Sequence, residues 1–145
     1  MFNFLSYLTF RPSPELITFA LTVLRVSIGI LTIGHGIPKM GGIEVWQSLG
    51  TTFMGSLGIH FLPVMWGFLG FASEFFGGIM LTVGFGTRFA SFALVVMMAV
   101  ATAWHLQRGD SFNVYSFPLS LIFVYLTFML IGSGPYSLER YLLGR

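Results

Sequence analysis

Long apolar stretches alternate with short polar or glycine-rich connections along this chain. Four stretches are almost purely apolar, and they cover residues 16–37, 62–83, 89–106 and 114–131. Because an α-helix rises about 1.5 Å per residue, about 20 residues cross the roughly 30 Å of hydrocarbon in a bilayer. The pattern therefore predicts four transmembrane helices that form one bundle and use residues 1–145 as a single domain.

The connection at residues 40–61 is longer than the others and has a pattern of its own. Within it Trp46, Leu49, Phe53 and Leu57 recur at the three- and four-residue steps of one helical face. An amphipathic helix of this kind typically lies in the membrane interface. The predicted fold class is thus all-α: an integral membrane four-helix bundle with an interfacial helix in its first outer loop.

Composition supports this fold and narrows the chemistry. Of the 145 residues, 55% are hydrophobic and 8% are charged, and the mean hydropathy is +0.85, which is typical of a protein embedded in a lipid bilayer. The chain has no cysteine, which excludes thiol redox catalysis and thiolate metal sites. Its net charge of +2 comes from basic residues scattered along the chain, so no nucleic-acid partner is expected.

The basic residues also predict the orientation, because Lys and Arg favour the cytoplasmic side of a membrane. If both termini share one side, the basic residues divide four to two, with Arg11, Arg88, Arg140 and Arg145 on that side and Lys39 and Arg108 on the other. We therefore expect both termini in the cytoplasm.

Two ionisable residues, Arg25 and Glu74, interrupt the apolar stretches of the first and second spans. A charge at such depth costs about 2.5–3.5 kcal/mol on insertion scales, so it normally faces a partner or a cavity and marks function. Each residue lies nine positions from the cytoplasmic end of its span, which predicts equal depths of about 14 Å. Gly29, Gly70 and Gly78 share their helical faces and would let the spans approach closely.

Two interpretations of these charges stay open. In the first, Arg25 and Glu74 form a structural ion pair that fixes how the two spans pair. In the second, Glu74 carries protons, or Arg25 anchors an anionic or quinone-like ligand. Pairing between the two is expected in either case, because each would otherwise be an isolated charge in lipid.

A second polar group is predicted at the outer face. His35 and His105 each fall about 26–28 Å from the cytoplasmic surface, and with His60 and Lys39 they would line one polar vestibule that contacts a ligand or relays protons. Solvated interface residues are the simpler alternative. Imidazole also binds metals and haem, and that alternative stays open, but these histidines lack the short spacing of a ligand pair in one helix, so we assign no metal ligands and favour a quinone over haem or a metal as the cofactor.

Five segments together resemble the motifs of a known family. They are LRVSIG at 24–29, GHGIPK at 34–39, EFFGG at 74–78, VGFGTR at 83–88 and GSGPYSLE at 132–139. Their order and spacing are similar to those of the DoxX family of small bacterial membrane proteins. The positions that match its motifs are Arg25, His35, Lys39, Glu74 and Arg88, the last of which we expect to be structural.

The resemblance implies a four-helix protein of the bacterial inner membrane with a role in quinone-linked sulfur or oxidative-stress chemistry. Some members are the small membrane subunit of a thiosulfate:quinone oxidoreductase, or partner superoxide dismutase and a sulfurtransferase. Many relatives carry an acidic residue just before the fourth span, where this chain has Ser-Phe-Pro at 116–118. A catalytic role for this chain by itself therefore does not carry over.

Three functions stay open. The first is an accessory subunit that binds a quinone between the first two spans and works with a membrane or peripheral redox protein. The second is a non-catalytic assembly or stability factor that associates through small-residue faces, with itself as a homo-oligomer or with other proteins. The third is a small transporter or channel with Glu74 as its coupling group, against which the lack of an inverted repeat or of broken helices argues.

Overall fold

The computed structural model describes residues 12–144, and all the regular elements within them are helical. The six α-helices are α1 Pro14–Gly36, α2 Ile43–Ser56, α3 Pro63–Val83, α4 Thr87–Gln107, α5 Phe112–Ile131 and α6 Leu138–Leu143, and a 3₁₀ turn, Ile37–Lys39, extends α1. With that turn included, α1 is long and apolar enough to cross a membrane, and so are α3, α4 and α5. The predicted all-α membrane bundle is confirmed. Arg11 and Arg145, which entered the orientation argument, lie outside the described residues.

Local signals set the ends of these helices. The Ser13 hydroxyl accepts a hydrogen bond from the Leu16 N–H at 3.3 Å and caps α1, and Pro14 follows at the first helical position, where its missing N–H leaves no bond unmade. Between α3 and α4, Gly84 and Gly86 adopt left-handed conformations with φ of 70° and 61°. Glycine reaches this region without strain, which allows the turn to be tight.

Glycines bring α1 and α3 into close contact. A Cβ atom on Gly29 would lie 2.5 Å from the Thr82 hydroxyl, and one on Gly36 would lie 2.8 Å from the backbone nitrogen of Phe75. Gly78 meets the α1 backbone at similar distances. These contacts confirm the predicted close approach of the two helices and fix their register: α1 runs antiparallel to α3, with Gly36 level with Phe75.

The predicted helix in the first connection is confirmed as α2, which packs lengthwise along α3 and does not lie across the end of the bundle. A Cβ on Gly67 would overlap the Trp46 carbonyl, and one on Gly50 would overlap the Pro63 carbonyl. Later residues of α2 thus meet earlier residues of α3. Both α1 and α2 therefore run antiparallel to α3, and α2 continues in the direction of α1.

The break between α1 and α2 therefore lies beside the middle of α3, between the levels of Gly67 and Phe75. The sequence pattern placed this connection at the outer face; in the structure the helix within it packs beside the first half of α3. We call residues 37–42 the helix break.

On its other side α3 packs against α4, which in turn packs against α5. Leu81, Leu94, Tyr125 and Phe128 form the core between these three helices, and each is at most 1% exposed. The outward faces carry large apolar side chains such as Phe89, which is 70% exposed. Such faces are expected on helices that contact lipid.

The glycine contacts predict different effects for two Gly→Ala substitutions in α1. Gly29→Ala forces a methyl group against Thr82 and should destabilise the bundle by about 1–3 kcal/mol. Gly34→Ala meets no atom within 4 Å and should be neutral or stabilise by about 0.5–1 kcal/mol, because alanine favours the helix. Thermal unfolding in detergent measures both, and equal effects would contradict the register.

Candidate polar site at the centre of the bundle

Glu74 and Lys39 form an ion pair in the middle of the bundle. Glu74 lies near the midpoint of α3 and is 4% exposed. Its Oε2 atom accepts a hydrogen bond from Nζ of Lys39 at 2.5 Å. Because Lys39 closes the 3₁₀ turn after α1, the pair joins the helix break to α3. An isolated charge would be unfavourable at this depth, and the pair satisfies both charges.

Arg25 does not pair with Glu74, so that prediction was wrong. Arg25 is 2% exposed, and its guanidinium donates to three carbonyls: those of Leu81, of Thr82 at 3.2 Å and of Tyr136 at 2.7 Å. Its partners lie at the end of α3, about two turns from Glu74. The prediction of equal depth assumed that both spans begin in one plane, whereas the glycine contacts displace α1 along α3.

The carbonyl partners of Arg25 explain how a buried cation is tolerated there. The last carbonyls of α3 lack partners within the helix and carry the negative end of its dipole. All five acidic residues of the chain lie in the described part, and none of their carboxylates is within 4.0 Å of Arg25. Arg25 therefore joins α1, the end of α3 and the segment before α6.

Further polar side chains surround the central ion pair. Thr32 Oγ1 and the Tyr125 hydroxyl share a hydrogen bond of 2.7 Å that links α1 to α5. His35 lies four residues before Lys39 and is exposed, and among the described residues no hydrogen bond joins it or Tyr125 to Glu74. We call Thr32, His35, Lys39, Glu74 and Tyr125 the central polar layer. Tyr125 was missed in the sequence, where a tyrosine within an apolar span carries no distinctive signal.

The structure separates the histidines that were predicted to share a vestibule. His35 precedes Gly36, which is level with the middle of α3, whereas His105 lies near the C-terminal end of α4 and bonds through Nδ1 to Asp110 at 2.7 Å. This hydrogen bond holds the pKa of the Asp110 carboxyl below its usual range. Across residues 12–144, no three His, Cys, Asp or Glu side chains gather as a set of metal ligands.

A cavity of about 280 Å³ adjoins the ion pair. Residues of α2, α3 and α4 line it, and Lys39 supplies a charged side chain among mostly apolar walls. Phe92 and Val96 of α4 also line it and are 55% and 47% exposed. Because these side chains face the lipid, the cavity opens sideways toward the bilayer.

Comparison with known families matches residues 20–107 to DoxX. The matched segment contains most of α1, the helix break and all of α2, α3 and α4, which is well over half of the chain. The chain belongs to the DoxX family. No curated protein and no solved structure matches it.

The DoxX motif positions divide into two groups in this structure. His35, Lys39 and Glu74 belong to the central polar layer. Arg25 and Arg88 lie toward the other end of the bundle, where Nη2 of Arg88 donates a long hydrogen bond of 3.4 Å to the Leu130 carbonyl of α5. The second group ties helix ends together, and the first contains the buried ion pair, of which Lys39 lines the cavity.

The ion pair predicts a specific pattern of mutational coupling. Lys39→Leu and Glu74→Leu should each destabilise the protein, because each leaves one charge without its partner. The double variant should recover about 1–3 kcal/mol relative to the sum of the single losses. A double-mutant cycle on unfolding in detergent measures this coupling.

The same cycle with Arg25→Leu and Glu74→Leu is the control. Those losses should add within about 0.5 kcal/mol, as expected for residues without contact. Strong coupling in the control, together with additivity for Lys39 and Glu74, would restore the original pairing and refute the present one.

Proposed function

We propose that this DoxX protein is a small accessory subunit of a quinone-linked redox system and that the cavity beside Lys39 binds the quinone ring. One observation carries the proposal: an apolar cavity that opens to the lipid is lined in part by Lys39, whose ammonium group pairs with the buried Glu74 carboxylate. Small-molecule sites typically enclose about 300–1,000 Å³. A cavity of about 280 Å³ therefore suits one ring, with an isoprenoid tail extending into the bilayer.

The residues at the cavity match the needs of a quinone. Its two carbonyl oxygens accept hydrogen bonds, and the Lys39 ammonium group is a donor at the polar end of an apolar site. Reduction to a quinol consumes two electrons and two protons. In this proposal Glu74, hydrogen-bonded to Lys39, passes protons toward the ring.

The electrons must come from another molecule. The chain has no cysteine, and we assign it no redox-active group of its own. We therefore propose a membrane or peripheral redox protein as its partner, with sulfur compounds or reactive oxygen species as the electron source or target. In this scheme the chain supplies the quinone site and the proton path, and the partner supplies the redox centre.

The helix break favours a second candidate function, the transfer of a proton or small ion across the membrane. Discontinuous helices at mid-depth form ion sites in many transporters, and the Lys39–Glu74 pair lies at such a break. This candidate ranks second because the adjoining cavity is apolar and opens to the lipid, which suits a lipid-soluble ligand more than an ion. A Glu74-dependent proton flux in proteoliposomes would reverse the ranking.

We further propose that the protein resides in a bacterial inner membrane with both termini in the cytoplasm. The position of Lys39 inside the bundle supports this orientation, because it removes one of the two basic residues first counted on the outer side. A reporter enzyme that works only in the cytoplasm should be active when it is fused after Arg145. A cysteine placed at Gly58, in the turn after α2, should be labelled only from outside, and the opposite pattern would reverse the orientation.

The quinone site predicts different effects for two Ala→Phe substitutions in α4. Ala93 lines the cavity, so Ala93→Phe should fill it and reduce bound ubiquinone or menaquinone at least tenfold. Ala99 is exposed on the same helix, so Ala99→Phe adds the same ring and should leave binding unchanged. Quinone content after delipidation and reloading with each quinone measures the effect. Failure of the unsubstituted protein to bind either quinone would refute the proposal.

A further inference from the structure

A second cleft lies at the opposite end of the bundle from Pro63. It has a volume of about 570 Å³, and the start of α4, the end of α5 and the start of α6 surround it. Arg88 and Arg140 line the polar part of this cleft together with Glu139, and residues 132–135 form its floor. It shares Phe89 with the quinone cavity but contains no member of the central polar layer.

The charges of this cleft favour an anion. Arg140 makes no side-chain hydrogen bond or ion pair with residues 12–144, and Arg88 has only its long bond to Leu130. The Glu139 carboxylate accepts a hydrogen bond from the Gly86 N–H at 3.2 Å, and it lies beyond ion-pair distance of both arginines. Two cations and one engaged carboxylate leave a net charge of +1.

The apolar part of the cleft indicates what kind of anion it takes. Phe89 and Ile131 also line it, and they are 70% and 47% exposed. α4 begins here and α5 ends here, so the cleft lies at the level where membrane-spanning helices meet lipid headgroups. A free inorganic anion would make no favourable contact with the apolar side chains, whereas a phospholipid presents both a phosphate group and acyl chains at this level.

We propose that the cleft binds an anionic phospholipid, with Arg88 and Arg140 donating hydrogen bonds to its phosphate oxygens and Phe89 and Ile131 contacting its acyl chains. Paired arginines suit phosphate because the guanidinium group donates parallel hydrogen bonds, and basic pockets between membrane helices are known sites for anionic headgroups. The bound lipid would hold the ends of α4, α5 and α6 together. This inference is independent of the proposed quinone site.

The test compares two phospholipids with identical acyl chains, phosphatidylglycerol and phosphatidylcholine, added to delipidated protein in mild detergent. Phosphatidylglycerol should raise the unfolding temperature with the logarithm of its concentration and should remain bound in native mass spectrometry. Phosphatidylcholine should do neither. Inorganic phosphate is the third arm, and equal stabilisation by it would replace the lipid with a free anion and overturn the assignment.

Arg140→Gln isolates the cleft because the guanidinium of Arg140 makes no hydrogen bond or ion pair among the described residues. It should weaken phosphatidylglycerol binding about tenfold, as expected for one charged hydrogen bond, and leave stability without lipid unchanged. Arg108→Gln removes an exposed arginine at the opposite end and should retain the lipid effect. Equal lipid stabilisation in the Arg140→Gln and unsubstituted proteins would refute the proposal.

Discussion

A helix break at mid-depth, closed by one ion pair, is the constraint on which the rest of this structure depends. Backbone groups that leave a helix inside a membrane must find partners within the protein. Here the indole nitrogen of Trp46 donates to the Lys39 carbonyl at 2.9 Å, and the Met40 N–H donates to the Ile37 carbonyl at 3.1 Å. α2 therefore shields the break, and the Lys39–Glu74 pair attaches it to α3.

The two buried charges that stand out in the apolar spans are satisfied in different ways. Arg25 is permanently charged and lies against the carbonyls that end α3, where no proton needs to move. Glu74 can gain or lose a proton, and it pairs with Lys39, which lines a cavity open to the lipid. The family motifs thus occur at two levels: Arg25 and Arg88 at one end of the bundle, and His35, Lys39 and Glu74 near its centre.

Much of the fold could be predicted from the sequence, because helix length and helix type follow from local patterns. The apolar runs predicted four spans, and the spacing of Trp46, Leu49 and Phe53 predicted α2. The small residues on the faces of α1 and α3 also correctly predicted a close contact. What that pattern does not encode is the sliding register between helices, since several glycines on each face allow more than one alignment.

The alignment of α1 along α3 determines which charged side chains pair, so the candidate site was predicted only in part. Lys39 and Glu74 were both candidates, yet counting from span ends paired Glu74 with Arg25 and placed Lys39 outside. The contact of Gly36 with Phe75 moves the end of α1 to mid-depth, and this one displacement replaces the partner of Glu74. Tyr125 and the cavity depend on packing among several helices, which no single segment records.

The depth of the helix break tests this account most directly, and the absence of cysteine makes the measurement straightforward. Spin labels can be attached to single cysteines that replace Met40, Phe76 or Phe112, since these side chains are 54%, 51% and 64% exposed. Relaxation of each label by oxygen or by a water-soluble nickel complex reports the depth of the label in a bilayer. The account predicts that Met40 resembles Phe76, with high oxygen and low nickel accessibility, while Phe112 is reached by nickel. A Met40 label as accessible to nickel as the Phe112 label would place the break at the membrane surface and contradict the account.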